Sequence, residues 1–180
     1  MQARNAALPD AFAIEALIAA QTHDGTLLAR SLAEICENIR DFIVIQDSDE
    51  IIGCGALHLY GPHLAEVRSI TVKSSEKGRG AGLLLVRALF KEAKRHHVTC
   101  LCLFTRIPGF FGKLGFRVVA DRHRIPDKVC KDCQHCPRQN ACDEIAMVKG
   151  KLPTFAILAP PLHAAALVQI SPGSEATGQD

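Results

Sequence analysis

Val67-Arg68-Ser69-Ile70-Thr71-Val72 runs closely into Lys77-Gly78-Arg79-Gly80-Ala81-Gly82-Leu83. The first stretch is rich in β-branched residues and reads as a strand. The second is a glycine loop. A helix from about Gly82 to His97 follows it, with Val86, Leu89, Ala93 and His97 along its buried side. Cys100 to Phe104 is the next strand, so the unit is a strand-helix-strand crossover. Glycines let a backbone approach an anion closely, and a helix start offers N–H groups at the positive end of its dipole. The loop therefore points to phosphate or pyrophosphate. It is not a Walker A loop, because no Gly-Lys-Ser/Thr follows. It is not a dinucleotide fingerprint either, since the third glycine falls at 82 where that pattern requires 83. A plain loop-to-helix turn is the competing reading.

Ahead of this unit, Ala11 to Ala20 reads as a helix capped by Asp10, with Ile14, Leu17 and Ile18 on one stripe. Ser31-Leu32-Ala33-Glu34 is a capping-box pattern opening a second helix. Phe42 to Ile45 and Ile51 to Tyr60, joined by Asp47-Ser48-Asp49-Glu50, form a hairpin. Behind it come a short helix at Pro108 to Leu114 and strands at Phe116 to Val119 and Ile145 to Val148. The expected fold class is mixed α/β, with an antiparallel front half and the crossover behind it. Residues 120–143 hold no clear period and read as a Cys-rich insertion. Residues 1–150 make one domain. Residues 151–180 are expected to be a flexible extension, or else a segment docked on a partner.

Composition narrows the function classes. The chain has 180 residues, 48% apolar and 22% charged, which suits one globular domain. Net charge is +2, with no Trp and one Tyr, so nucleic-acid binding has little to stand on. No run of 18 apolar residues exists, so no membrane span is expected. The N-terminus shows no secretory pattern, which makes a reducing cytoplasm the expected home.

The residues Lys77-Gly78-Arg79-Gly80-Ala81-Gly82 resemble the pyrophosphate loop of the GCN5-related N-acetyltransferases (GNAT), written Arg/Gln-x-x-Gly-x-Gly/Ala, with Lys77 in the first position. Phe110 to Phe116 is similar to the same family's late Tyr-x-x-x-Gly-Phe motif, with Phe111 where many members carry Tyr. A narrower resemblance spans residues 25–150: Gly53 to His58, Glu66 to Val72 and Lys128 to Met147 look like N-acetylglutamate synthase, in its short bacterial form. That likeness implies a GNAT fold and transfer of acetyl from acetyl-CoA to the α-amine of L-glutamate, the first step of arginine biosynthesis.

Such chemistry assigns roles. Lys77, Gly78, Arg79, Gly80, Ala81, Gly82 and Leu83 would hold the pyrophosphate. Main-chain amides of Ile70, Thr71 and Val72 would polarise the thioester carbonyl, where the oxyanion develops. An α-amine is mostly protonated at neutral pH, so a base must take its proton. Glu66 is the candidate, against the reading of a solvated edge-strand carboxylate; His58 and His63 are rivals. Phe111 has no proton for the leaving thiolate, so water serves or the thiolate leaves as such. Glutamate carries two carboxylates, for which planar Arg is the matching partner. Arg30 comes first, then Arg68 and Arg106, with Thr105 as a hydrogen-bonding candidate. The expected partner is thus a small amine, L-glutamate foremost; a homodimer stays open. The rivals are a GNAT enzyme for another small amine or a protein N-terminus, and a non-catalytic acetyl-CoA, zinc or redox module.

Cys130, Cys133, Cys136 and Cys142 place four thiols within one short arm. The spacing suits structural zinc; an iron–sulfur centre and plain reduced or redox-paired thiols are the alternatives. Cys36, Cys54, Cys100 and Cys102 sit in apolar runs and read as small core residues.

Overall fold

The computed structural model describes residues 1–22, 27–133, 136 and 141–157. Among these, seven strands form one sheet in the order β1-β2-β3-β4-β5-β7-β6. The strands are β1 (Gln2–Asn5), β2 (Phe42–Asp47), β3 (Glu50–Gly61), β4 (Leu64–Val72), β5 (Cys100–Thr105), β6 (Arg117–Val118) and β7 (Ile145–Gly150). The helices are α1 (Ala11–Ala19), α2 (Leu32–Glu37), α3 (Ala81–Arg95), α4 (Pro108–Gly112) and α5 (Pro126–Lys131). β1 to β4 are antiparallel neighbours, and β4 runs parallel to β5 through the α3 crossover. The expected antiparallel front half and crossover are therefore what the chain forms.

Alternation divides the side chains between two faces. Ala65 and Val67 of β4 join Leu85, Val86 and Leu89 of α3, with Phe111 and Phe116 from the α4 region. On the opposite face, Ile14, Leu17, Ile18 and Ile35 of α1 and α2 cover Phe42, Val44 and Ala56. Farther along that face, Tyr60, Leu64, Cys102 and Val148 pack with Ile125, at the start of α5. His97 does not share the buried side of α3. The helix ends at Arg95, and His97 is exposed with φ 55°, turning the chain out of the helix.

Two features of β4 shape the cleft beside it. Ser69 sits at φ 53°, and the register with β3 slips from Ala56↔Arg68 to Cys54↔Thr71. This bulge reverses the alternation. Before it, odd-numbered residues face α3; after it, Ile70 and Val72 do. The second feature is a wedge. β4 and β5 pair at Ala65↔Leu101 and Glu66↔Cys102, and there the pairing stops. Beyond that point the main-chain groups of β4 that face β5 have no strand partner.

Candidate active site

Glu66 lies in the middle of the sheet, 3% exposed, rather than on a solvated edge. Its Oε1 is 2.8 Å from Lys128 Nζ, and its Oε2 is 2.9 Å from the Tyr60 hydroxyl. The same hydroxyl is 2.9 Å from Asp132 Oδ2, and Lys128 Nζ is 2.9 Å from that oxygen too. Arg68 Nη1 approaches Asp132 Oδ2 at 4.0 Å. Tyr60, Glu66 and Arg68 come from β3 and β4, whereas Lys128 and Asp132 come from α5 and its end. The sheet provides the floor and α5 one wall.

The charges in this cluster hold one another. Burial alone would lower the Lys128 ammonium, but the Glu66 and Asp132 carboxylates outweigh it and hold it above its usual range. Burial pushes the Asp132 carboxyl up, yet the Lys128 charge more than offsets this and leaves it below the ordinary value. Burial, followed by the Glu66 charge, drives the Tyr60 phenol far up, so it stays protonated. Burial also raises Glu144, at the foot of β7.

The other wall comes from the α2 side. Arg30 Nε donates to Ser69 Oγ at 3.1 Å, directly at the bulge, and its guanidinium pairs with Glu34. Ser31 caps α2 by accepting from Glu34 N at 3.2 Å, which fixes the entry of this segment. Between the walls, Lys131 Nζ is 2.6 Å from His58 Nε2, and His58 Nδ1 is 2.9 Å from Asp41 Oδ2. The ammonium can only donate, so Nδ1 carries the ring proton. Arg30 is thus held at Ser69, next to Arg68, and Arg68 and Glu66 both face α5 through Asp132 and Lys128.

Thr105 and Arg106 have partners of their own. Thr105 Oγ1, at the end of β5, accepts from Ile107 N at 3.0 Å. Arg106 is tied to Asp143, with Nη2 to Oδ1 at 2.6 Å. His63, the other rival base, pairs with Asp127 at 2.7 Å away from the cleft.

The glycine loop lies past the wedge. After Lys77, Gly78 at φ 85° and Gly80 at φ 89° adopt a backbone that only glycine takes easily, and Gly80 is the N-cap of α3. No side chain caps that helix end. A Cβ at Gly78 or Gly80 would meet nothing within 4 Å, so space is open above the loop. Arg79 leans on Glu76, and Lys77 is exposed. Ala81 is buried at the first turn, followed by half-buried Gly82 and Leu83. The residues present fit a bound pyrophosphate. Ile70, Thr71 and Val72 sit between this loop and Glu66, along the unpaired edge of β4. Phe111 is buried, edge-on to Phe116 with ring centres 5.9 Å apart, and serves packing.

The zinc reading of the Cys-rich arm gains no support among the described residues. Among the described residues no group of three or more His, Cys, Asp or Glu side chains converges as a metal site, although all four arm thiols are described. Burial raises the Cys133 thiol. Conversely, Tyr60, Lys128 and Asp132 escape a reading by motif. The signal for them is the alternation of His58 and Tyr60 opposite Glu66, with the charges of Lys128 and Asp132 in an arm otherwise lacking a period.

Among the described residues no helix is long and apolar enough to cross a membrane. Residues 10–116 match the model of the acetyltransferase (GNAT) family. An uncharacterized N-acetyltransferase of Chlorobaculum tepidum is 38% identical over 146 residues, covering 81% of this chain and 94% of that protein. An amino-acid acetyltransferase of Mycobacterium tuberculosis is 31% identical over 117 residues, covering 63% and 66%. Among solved structures, N-acetylglutamate synthase from Neisseria gonorrhoeae, complexed with coenzyme A and N-acetyl-glutamate, superposes with TM-score 0.72 at 21% identity, over 84% of this chain and 35% of that one. With that family match over more than half of its length, the chain belongs to the GNAT family of acetyl-CoA-dependent acetyltransferases.

Proposed function

We propose that the chain transfers acetyl from acetyl-CoA directly to the α-amine of L-glutamate, the reaction that opens arginine biosynthesis. The observation that carries this reading is the run from Arg30, held at Ser69 of the β4 bulge, through neighbouring Arg68 to Asp132, which shares Lys128 and Tyr60 with Glu66. Two guanidinium groups suit the two carboxylates of the amine, and a buried carboxylate farther along the same strand suits its ammonium. The amino-acid acetyltransferase names of several relatives support the same substrate class.

In this reading the loop Lys77–Leu83 and the first turn of α3 hold the pyrophosphate. The unpaired β4 amides near Ile70, Thr71 and Val72 polarise the thioester carbonyl. Glu66 accepts a proton from the ammonium, the freed amine attacks the carbonyl, and the tetrahedral intermediate expels the coenzyme A thiolate. Phe111 offers no acid, so the thiolate leaves as such and takes up, through water, the second proton that the nitrogen sheds as the amide forms. The eight cysteines, all free, fit a reducing compartment such as the cytoplasm.

A thiol-release assay with acetyl-CoA and a panel of amines tests this. Saturable acetylation of glutamate, with KM raised in Arg30→Ala and kcat lowered about 10²–10⁴-fold in Glu66→Gln, is the expected result. Turnover of polyamines alone would overturn it, and would turn attention to the Asp41 and Asp132 carboxylates that share the cleft.

A further inference from the structure

A base as buried as Glu66 must be emptied after each turnover. Both of its oxygens are engaged, one by Lys128 and one by Tyr60. The Lys128 ammonium already carries its full complement of protons and can only donate. The Tyr60 hydroxyl is different. Its oxygen stands 2.9 Å from Glu66 Oε2 and 2.9 Å from Asp132 Oδ2, yet it has one proton and can donate to one of them at a time. The second short contact becomes a hydrogen bond when one of the two carboxyls carries a proton. The cluster is thus built with room for one more proton than it holds at rest. The side chain of Glu66 is 4% exposed, and that of Asp132 is 29%.

We propose that Tyr60 and Asp132 form a relay that carries the amine proton from buried Glu66 to solvent. The relay deepens the reaction proposed above and rests on Glu66 being its base. The balance is simple. The substrate ammonium gives a proton to Glu66, which becomes a neutral carboxylic acid. Glu66 passes that proton to the Tyr60 oxygen while Tyr60 gives its own to Asp132, so Tyr60 is neutral throughout. Asp132 releases the proton to water, and the Tyr60 hydroxyl, left pointing at Glu66 by the shift, turns toward Asp132 before the next one. No electrons change hands and no co-reactant is needed. Lys128 spans both carboxylates and holds the ends of the relay in place. Neither Tyr60 nor Asp132 touches the reacting atoms in this scheme; they act through Glu66.

The test is steady-state kinetics of the full chain with the amine of the panel that it acetylates. Tyr60→Phe keeps the ring, its edge contact with His58 and its position under Lys131, and removes only the hydroxyl. The expected result is a kcat about 10–100-fold lower, within what one proton-transfer element contributes, with KM for acetyl-CoA unchanged. Asp132→Ala is expected to fall similarly and to recover with added formate, a small carboxylate that can accept the proton from Tyr60. A loss caused by misfolding would show no dependence on formate. Tyr60→Phe with kcat equal to the parent, or Asp132→Ala indifferent to formate, overturns the relay while leaving Glu66 as base. Full activity in Glu66→Gln, or no turnover of any amine, overturns both.

Discussion

Arg4 and Asp10 show what one paired carboxylate does for the domain. Arg4 Nη1 and Nη2 meet the two Asp10 oxygens at 2.7 and 2.9 Å, and Ala7 N donates to one of them at 2.7 Å. The Arg4 hydrogen bond is the main reason the Asp10 carboxyl lies below its usual range. A carboxyl lowered by folding adds stability above its unfolded pKa, and that stability is lost as pH falls through the folded value. The unfolded value is about 3.9. Urea midpoints measured from pH 6 to pH 3 should therefore fall below about pH 4, and Asp10→Asn should flatten that decline. Equal slopes in both proteins would show that the pair adds nothing. Asp132 obeys the same sign, although its partner ammonium is shared with Glu66.

At the scale of elements, the turn into α3 depends on conformation more than on contact. Gly80 has φ 89°, and nothing stands within 4 Å of where a Cβ would go. Gly80→Ala should thus lose only the left-handed backbone preference, about 1–2 kcal/mol. Thermal melts should show it, together with a higher KM for acetyl-CoA and a smaller change in kcat. An unchanged KM would detach this turn from cosubstrate binding. This unit was also the most legible in the sequence, because strand, glycines and amphipathic helix are all local signals. β1 was not. Gln2-Ala3-Arg4-Asn5 has no strand character of its own and becomes a strand by pairing with Gln46 to Ile43. The bulge was hidden too, since Ser69 looks like any strand residue until its register with Ala56 is known. For the candidate site, Glu66 and the arginines follow from the needs of an acidic amine. Tyr60 and Asp132 are 72 residues apart and meet only through folding.

Across the whole molecule, the start of the C-terminal segment is fastened to the helix that walls the cleft. Ile157 N donates to Asp127 Oδ1 at 2.7 Å, and the Phe155 ring lies 4.6 Å from His63, whose Nε2 meets the other Asp127 oxygen. Asp127 is fully buried and adjoins Lys128. Ending the chain at Lys151 would strip a donor from a buried carboxylate, at about 1–3 kcal/mol. The expected drop in Tm is about 2–4 °C for each kcal/mol, and an unaltered melt would show the segment to be dispensable. The line between β4 and β5 has a broader consequence. With main-chain pairing at two positions only, the sheet is stitched loosely down its middle, and the helices and side chains must clamp its halves together. Coenzyme A seated there should raise Tm progressively with its concentration, through about 2.7 kcal/mol of added stability at a hundredfold excess over Kd; a flat response would place it elsewhere. On the proposed binding mode, the gap that admits the ligand is also the seam along which the domain would first come apart, and the guest would serve as the missing rungs.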